Sequence, residues 1–282
     1  MQAESPESHP ADPARYGHLL AIGGAEGKHC RGAILTTFVE LAGGPGARIL
    51  LSTTATTLPE AARADYVGLL GSLGAESVRE LRIVTRADAD DERNLTLLRE
   101  ATAVLFTGGD QARFGAMVRS RAHALLRTRL AQDALVVAGT SAGATALGDT
   151  MILGTGNRDP TELRMAPGLA LVPDAVVDMH FAQRGRLPRL VRAVCAAPHL
   201  LGLGIDEDTA VLIRGGRFDV LGTGAVTVVD ARQATVCRPP EHGEPAHVLD
   251  LRLHALRAGN SFDLERRRPI HPTRHSSPSA DT

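Results

Sequence analysis

Residues 136–148 read VVAGTSAGATALG, and the five from Gly139 to Gly143 fit the pattern Gly-x-Ser-x-Gly. That spacing lifts a serine onto a sharp turn between a strand and a helix, where its hydroxyl is exposed as a nucleophile. Bulky neighbours would collide with the crossing strand and helix, so the Gly and Ala residues around Ser141 have a steric purpose. The Ala142 N–H is expected at the first turn of the following helix, available to an oxygen that gains charge during acyl transfer. Small residues also gather by packing alone; the strand-like run before Ser141 and the helix formers after it favour the nucleophile.

A serine needs a base. In open α/β sheets, ligands collect beyond the carboxyl ends of the strands. The other expected strand ends carry GGAE (23–26), GGDQ (108–111), DMHF (178–181) and DED (206–208). His180 is the candidate base, since an imidazole both takes and returns a proton near neutrality. A third group must orient its ring. Glu207 is favoured, Asp159 in NRDPTE stays open, and Asp178 is too near in sequence to point at the ring. Residues two apart in a strand share a face, so Asp178 is expected to line the same pocket as His180.

At GGDQ, Asp110 suits a helix N-cap, while Gly109 brings backbone N–H groups near a substrate and Gln111 offers it an amide. FAQRGRLPRLVRAV sets Arg184, Arg186, Arg189 and Arg192 just past His180. Guanidinium forks grip carboxylates in two-point geometry, so the first three point to a substrate with a carboxylate near the scissile bond. Arg192 reads as part of a solvated face. AIGGAEGK is not a phosphate loop, because Ile22 stands where that motif needs glycine, and no dinucleotide fingerprint is present.

These groups need a scaffold, and the apolar pattern supplies one. Strands are expected at residues 18–24, 48–56, 81–85, 103–109, 135–141, 176–181 and 201–206. Helices are expected over 28–41, 58–74, 91–100, 111–130 and 187–197. Alternating strand and helix with near-continuous apolar strands predicts an α/β fold: a mostly parallel central sheet with helices on both faces. Residues 209–230 change pattern around a Gly-Gly turn and predict antiparallel hairpins at one edge. One domain is expected over 18–265, flanked by polar, Pro-rich tails at 1–17 and 266–282.

The 282 residues carry a formal charge of −1, which offers no global field for nucleic acid or an anionic membrane. There is no long apolar run, and the first residues lack a signal-peptide layout, so a cytoplasmic chain is expected. Cys30, Cys195 and Cys237 show no metal-ligand spacing and read as reduced and unpaired. No metal or organic cofactor is implied.

GGAEGK, GGDQ, GTSAGA, DMHFAQRGRLPRL and GLGIDEDTA, in that order, resemble the cyanophycinases, within the peptidase E-like serine peptidases. The similarity runs from about His18 to Asp263. The resemblance implies a class I glutamine amidotransferase-like α/β fold and an exopeptidase that releases β-Asp-Arg dipeptides from cyanophycin, an aspartate backbone bearing arginine on its side chains. It implies Ser141 as nucleophile, His180 as base, and Glu207 or Asp159 as acid. Gln111, Asp178, Met179, Arg184, Arg186 and Arg189 are the implied substrate set, with Asp178 taking the substrate's cationic arginine. Backbone at Gly109, Asp110 and Ala142 would hold the oxyanion. A homodimer is expected at the level of the family.

One departure stands out: relatives of this kind commonly have glutamine where this chain has Met179, and a thioether cannot replace an amide's hydrogen bonds. Two alternatives follow. One is a relative cleaving another aspartyl peptide or a biosynthetic precursor; the other is a non-catalytic binding protein on the same fold. An amidotransferase is disfavoured, because that chemistry places cysteine at the position of Ser141.

Overall fold

The computed structural model describes residues 17–26, 32–155, 163–238 and 247–270; the side chain of Thr155 lies outside this set. Five strands build a parallel sheet: β1 (His18–Ile22), β2 (Arg48–Ser52), β3 (Ser77–Leu81), β4 (Ala103–Phe106) and β5 (Val136–Thr140). Their order is β1-β5-β4-β2-β3, each pair parallel. Successive side chains of a strand point to opposite faces. Accordingly Leu19 and Ala21 of β1 join one core cluster, and Leu20 and Ile22 join another.

A second sheet of six strands holds the later part of the site. It contains β6 (Gly148–Thr155), β7 (Leu163–Pro167), β8 (Val172–Met179) and β9 (Leu201–Ile205). β10 (Thr209–Arg214) and β11 (Arg217–Gly222) return to the first sheet as a hairpin beside β1, around Gly215 and Gly216. β12 (Ala225–Asp230) pairs β9 in the second sheet. A small ribbon follows, β13 (Val236–Arg238) with β14 (His247–Leu249). β15 (Arg252–Arg257) pairs β12, while β16 (Ser261–Asp263) and β17 (Arg268–Ile270) extend the first sheet to nine strands.

Helices cover the faces. α1 (Ala33–Leu41) and α2 (Pro59–Ser72) lie on one side of the first sheet, through Ile34, Leu35, Phe38 and Leu70. The largest core unites both sheets with α3 (Arg86–Asp90), α4 (Glu92–Glu100), α5 (Arg121–Gln132) and α6 (Ala142–Leu147). α7 (Leu187–Ala196) packs Leu190, Ala193 and Val194 against the second sheet. Each fully buried leucine contributes about 2 kcal/mol of transfer free energy. In LGLGI of β9 Gly202 faces that helix and Gly204 faces Phe181 ahead of it: a Cβ on Gly202 would lie 3.0 Å from Leu190 Cγ, and one on Gly204 2.5 Å from the Phe181 ring.

Several expectations are corrected. Residues 111–130 do not form one helix. A 3-10 turn spans Gln111–Ala116, the chain breaks at Arg119 (φ 61°), and Ser120 caps α5 by accepting from His123 N. The strand expected at 81–85 lies earlier, at β3, because Thr85 and Asp88 close a capping box that starts α3.

Neither Gly17 nor residues 266–270 belong to tails. Gly17 N–H donates to Leu130 O at 2.7 Å. Arg267, 5% exposed, is buried because Asp230 accepts from it at 2.9 Å. Residues 1–16 and 271–282, the start of the helix expected at 28–41, and Cys30 lie outside the described residues.

The cysteines are not all unpaired. Cys195 of α7 and Cys237 of β13 form a disulfide, with Cα atoms 5.0 Å apart. Their separation of 42 residues carries no local signal; packing of α7 against β13 makes the pair.

Candidate active site

β5 ends at Thr140 and α6 begins at Ala142, leaving Ser141 alone at the junction with φ 52° and ψ −116°. Such a conformation costs a non-glycine residue about 1–3 kcal/mol and persists only where its surroundings enforce it. They do so here. A Cβ on Gly139 would stand 2.4 Å from Gly143 O, and one on Gly143 2.2 Å from Phe106 O. The crossing therefore closes only around glycine. Ser141 N–H donates to Ile22 O at 3.0 Å, tying the turn to the end of β1.

His180 follows β8 with φ 48°. Its Nε2 lies 2.9 Å from Ser141 Oγ, and its Nδ1 lies 2.8 Å from Glu207 Oε1. An ionised carboxylate only accepts, so Nδ1 carries the proton and Nε2 is left to accept from the serine hydroxyl. Burial pushes the imidazole pKa below its ordinary value. The Glu207 bond and charge oppose this, while Arg184 and Arg186 add to it. A neutral base at neutral pH is the result.

Glu207 sits between two aspartates that do different work. Asp206 Oδ1 accepts from Ala182 N at 2.9 Å and its Oδ2 from Ala225 N at 3.0 Å. Asp208, 1% exposed, donates its N–H to Gly24 O and accepts Thr223 N–H. The outer two fasten neighbouring loops, and the middle carboxylate reaches the histidine. Asp159 lies outside the described residues.

The end of β1 and the two glycines after it support all three groups, a role that sequence reasoning missed. Ile22 O accepts from Ser141 N, Gly23 O from His180 N at 2.9 Å, and Gly24 O from Asp208 N at 2.9 Å. Glu26 anchors this segment: Oε1 accepts from Tyr66 O–H at 2.6 Å and Oε2 from Thr140 Oγ1 at 2.7 Å. The signal was present in the paired glycines of GGAE, but three distant partners had to be known to read it.

The oxyanion set is partly corrected. Ala142 opens α6 beside Ser141, as expected. Gly109 (φ 141°) is wedged against the turn after β2, where a Cβ would stand 2.1 Å from Ala55 O. Asp110 N–H donates to Ala55 O at 2.9 Å and is therefore committed to the fold. The Asp110 side chain caps the 3-10 turn through Ala112 N. Gln111 Nε2 donates to Ile152 O at 2.6 Å, so its amide N–H braces β6.

The arginine cluster is also arranged differently. Asp178 is 1% exposed and enclosed by the chain's own cations. Arg189 Nε donates to its Oδ2 at 2.6 Å and Nη2 to its Oδ1; Arg186 Nη1 lies 3.2 Å from Oδ1. Met179 N–H completes the set at 2.9 Å.

Asp178 is thus no open receptor for a substrate cation, and Arg186 and Arg189 are no open receptors for a carboxylate. Burial lowers the Arg186 pKa to about 10, partly offset by Asp178, and the group stays charged. Met179 is buried, with its carbonyl and sulfur against Arg186. Arg184 is exposed and close enough for its charge to act on His180. Arg192, expected on a solvated face, is partly buried.

Residues 19–221 match Peptidase family S51. The chain is 39% identical over 274 residues to a cyanophycinase from Trichormus variabilis, covering 95% of this chain and 92% of that one. It is 38% identical over 255 residues to a cyanophycinase from Synechococcus elongatus, covering 88% and 79%. Its fold is similar to that of a crystallised peptidase from an acI-B1 actinobacterium, with TM-score 0.64, 22% identity and coverage of 88% and 97%.

Proposed function

The chain belongs to Peptidase family S51 and is a cyanophycinase-like serine-type exopeptidase, and on that premise we propose how its residues act. Ser141 Oγ attacks the carbonyl of an aspartyl peptide bond while His180 Nε2 accepts its proton. Glu207 holds the imidazole in the right tautomer and stabilises the imidazolium. The Ala142 N–H and the Gly109 backbone face the developing oxyanion. His180 then protonates the leaving amine, and a water activated by the same ring releases the acyl group.

The observation that carries this reading is the unbroken chain of contacts from Ser141 Oγ through His180 to Glu207 Oε1, at 2.9 and 2.8 Å. The substrate we propose is cyanophycin, with β-Asp-Arg dipeptides as product. The exposed Arg184 is the group best placed to meet a carboxylate of the product, since Arg186 and Arg189 serve Asp178. Ser141→Ala should abolish dipeptide release from cyanophycin and leave the melting temperature near that of the parent. Turnover by that variant above a trace would refute the assignment.

The two alternatives drawn from the sequence are not favoured, given relatives named cyanophycinase over most of the chain. Among the described residues no helix is long and apolar enough to cross a membrane. A cytoplasmic setting and a homodimer belong to the same reading. The Cys195–Cys237 bond weighs against the first, since such bonds persist chiefly in oxidising compartments. Thiol trapping in intact cells tests the setting, and light scattering tests the dimer.

A further inference from the structure

Beyond the carboxyl ends of β2 and β3 lies a recess of about 230 Å³ that the mechanism above does not use. Its walls include Thr53, Thr54, Thr56, Arg82 and Arg113, and no carboxylate residue lines it. Among the described residues neither guanidinium, of Arg82 or of Arg113, forms a hydrogen bond or ion pair. Glu80, which accepts from Thr53 Oγ1 at 2.7 Å, is outside the lining. Thr56 Oγ1 accepts from Leu58 N at 3.0 Å and so keeps its own proton to donate. Two unmatched cations with hydroxyl donors suit a carboxylate.

The recess adjoins the nucleophile. Gly108 abuts Ser141, since a Cβ there would be 3.3 Å from Ser141 Cβ. Gly109, next in the chain, abuts Ala55 O and Thr56 N, at 2.1 and 2.8 Å from its own notional Cβ. One two-residue turn therefore separates Ser141 from the recess wall. In the sheet order, β4 stands between β5 and β2. Two strand spacings place the end of β2 about 10 Å from the end of β5.

We propose that this recess is a second substrate subsite, in which Arg82 and Arg113 bind the arginyl carboxylate of a repeat beyond the two flanking the scissile bond. The inference rests on the aspartate-backbone substrate proposed above. Every repeat of that polymer presents one free carboxylate, on the α-carbon of its arginine beside the side-chain amide, with the guanidinium extending further out. An extended backbone advancing about 3.5 Å per residue, with the arm added, spans the distance. The subsite holds the polymer across the strand ends and favours long chains over short ones.

The test compares the parent with Arg82→Gln/Arg113→Gln on synthetic β-Asp-Arg oligomers of two, four and eight repeats. Arg82→Glu, a single change at an exposed position, provides a second variant, and melting curves verify folding. The expected result is a KM about five- to tenfold higher for the longest oligomer. The kcat and the KM for the two-repeat oligomer should be unchanged. Unchanged KM at every length, or an equal rise at every length, would overturn the subsite. A parent enzyme inert on all oligomers would instead overturn the substrate reading, and the subsite with it.

Discussion

Gly23 O accepts the backbone N–H of His180 at 2.9 Å, so the histidine is registered to the end of β1 as well as to its own strand. The residues on either side of Gly23 do the same for Ser141 and for Asp208, the neighbour of Glu207. Three successive carbonyls thus set the relative heights of the proposed nucleophile, base and acid. A serine and a histidine on separate sheets need such a common reference to hold a 2.9 Å contact.

Gly24 provides the most direct test of that frame. It has φ 100°, and a Cβ there would meet His180 Cε1 at 2.4 Å. Gly24→Ala should displace the ring and lower kcat about 10²-fold or more with little change in KM. Steady-state kinetics beside a melting curve would check this; an unchanged kcat would show that the ring has room.

The pH profile should report the depressed His180. Activity requires its neutral form, and burial lowers the pKa, so kcat/KM should hold through neutrality and fall only below the ordinary histidine range near 6.5. Glu207 opposes that depression. Glu207→Gln should therefore shift the acid limb to still lower pH while cutting the plateau about 10²–10⁴-fold. A limb that moves upward would contradict the assigned role.

Asp178 is expected to act on stability before catalysis. Asp178→Asn leaves Arg186 and Arg189 charged and unmatched at a site 1% exposed. Loss of one partner from a buried ion cluster costs about 3–5 kcal/mol. Denaturant unfolding should show a lower midpoint with an unchanged slope; a loss under about 1 kcal/mol would mean the arginines find other partners.

The Cys195–Cys237 bond closes a long loop, and removing it should cost about 2–4 kcal/mol. Both sulfurs lie away from the Ser141–His180–Glu207 chain, on the far end of α7 and on β13. Cys237→Ser, or reduction with dithiothreitol, should lower the melting temperature and leave initial rates at room temperature near the parent's. Intact stability under reductant would refute the contribution.

Much of the candidate site is legible in the sequence, because its constraints are local. Gly139 and Gly143 flank Ser141 where a strand meets a helix, and that crossing tolerates nothing larger, so the elbow is legible within five residues. The position of His180 at the end of an apolar run is local too. What could not be read depends on partners far along the chain. Asp178 and the arginines of RGRLPR look like open binding groups until the turn into α7 folds two of them back onto the aspartate.

Asp110 looks like an oxyanion donor until Ala55, 55 residues earlier, takes its N–H. Arg267 looks like part of a polar tail until Asp230 buries it, and two cysteines look unpaired until α7 meets β13. Residue types and short spacings determined which groups are candidates for the chemistry, since backbone strain and side-chain volume act over a few residues. Which charges remain open to a substrate was decided by tertiary structure alone, because a charge is matched by whatever the fold brings within about 3 Å of it.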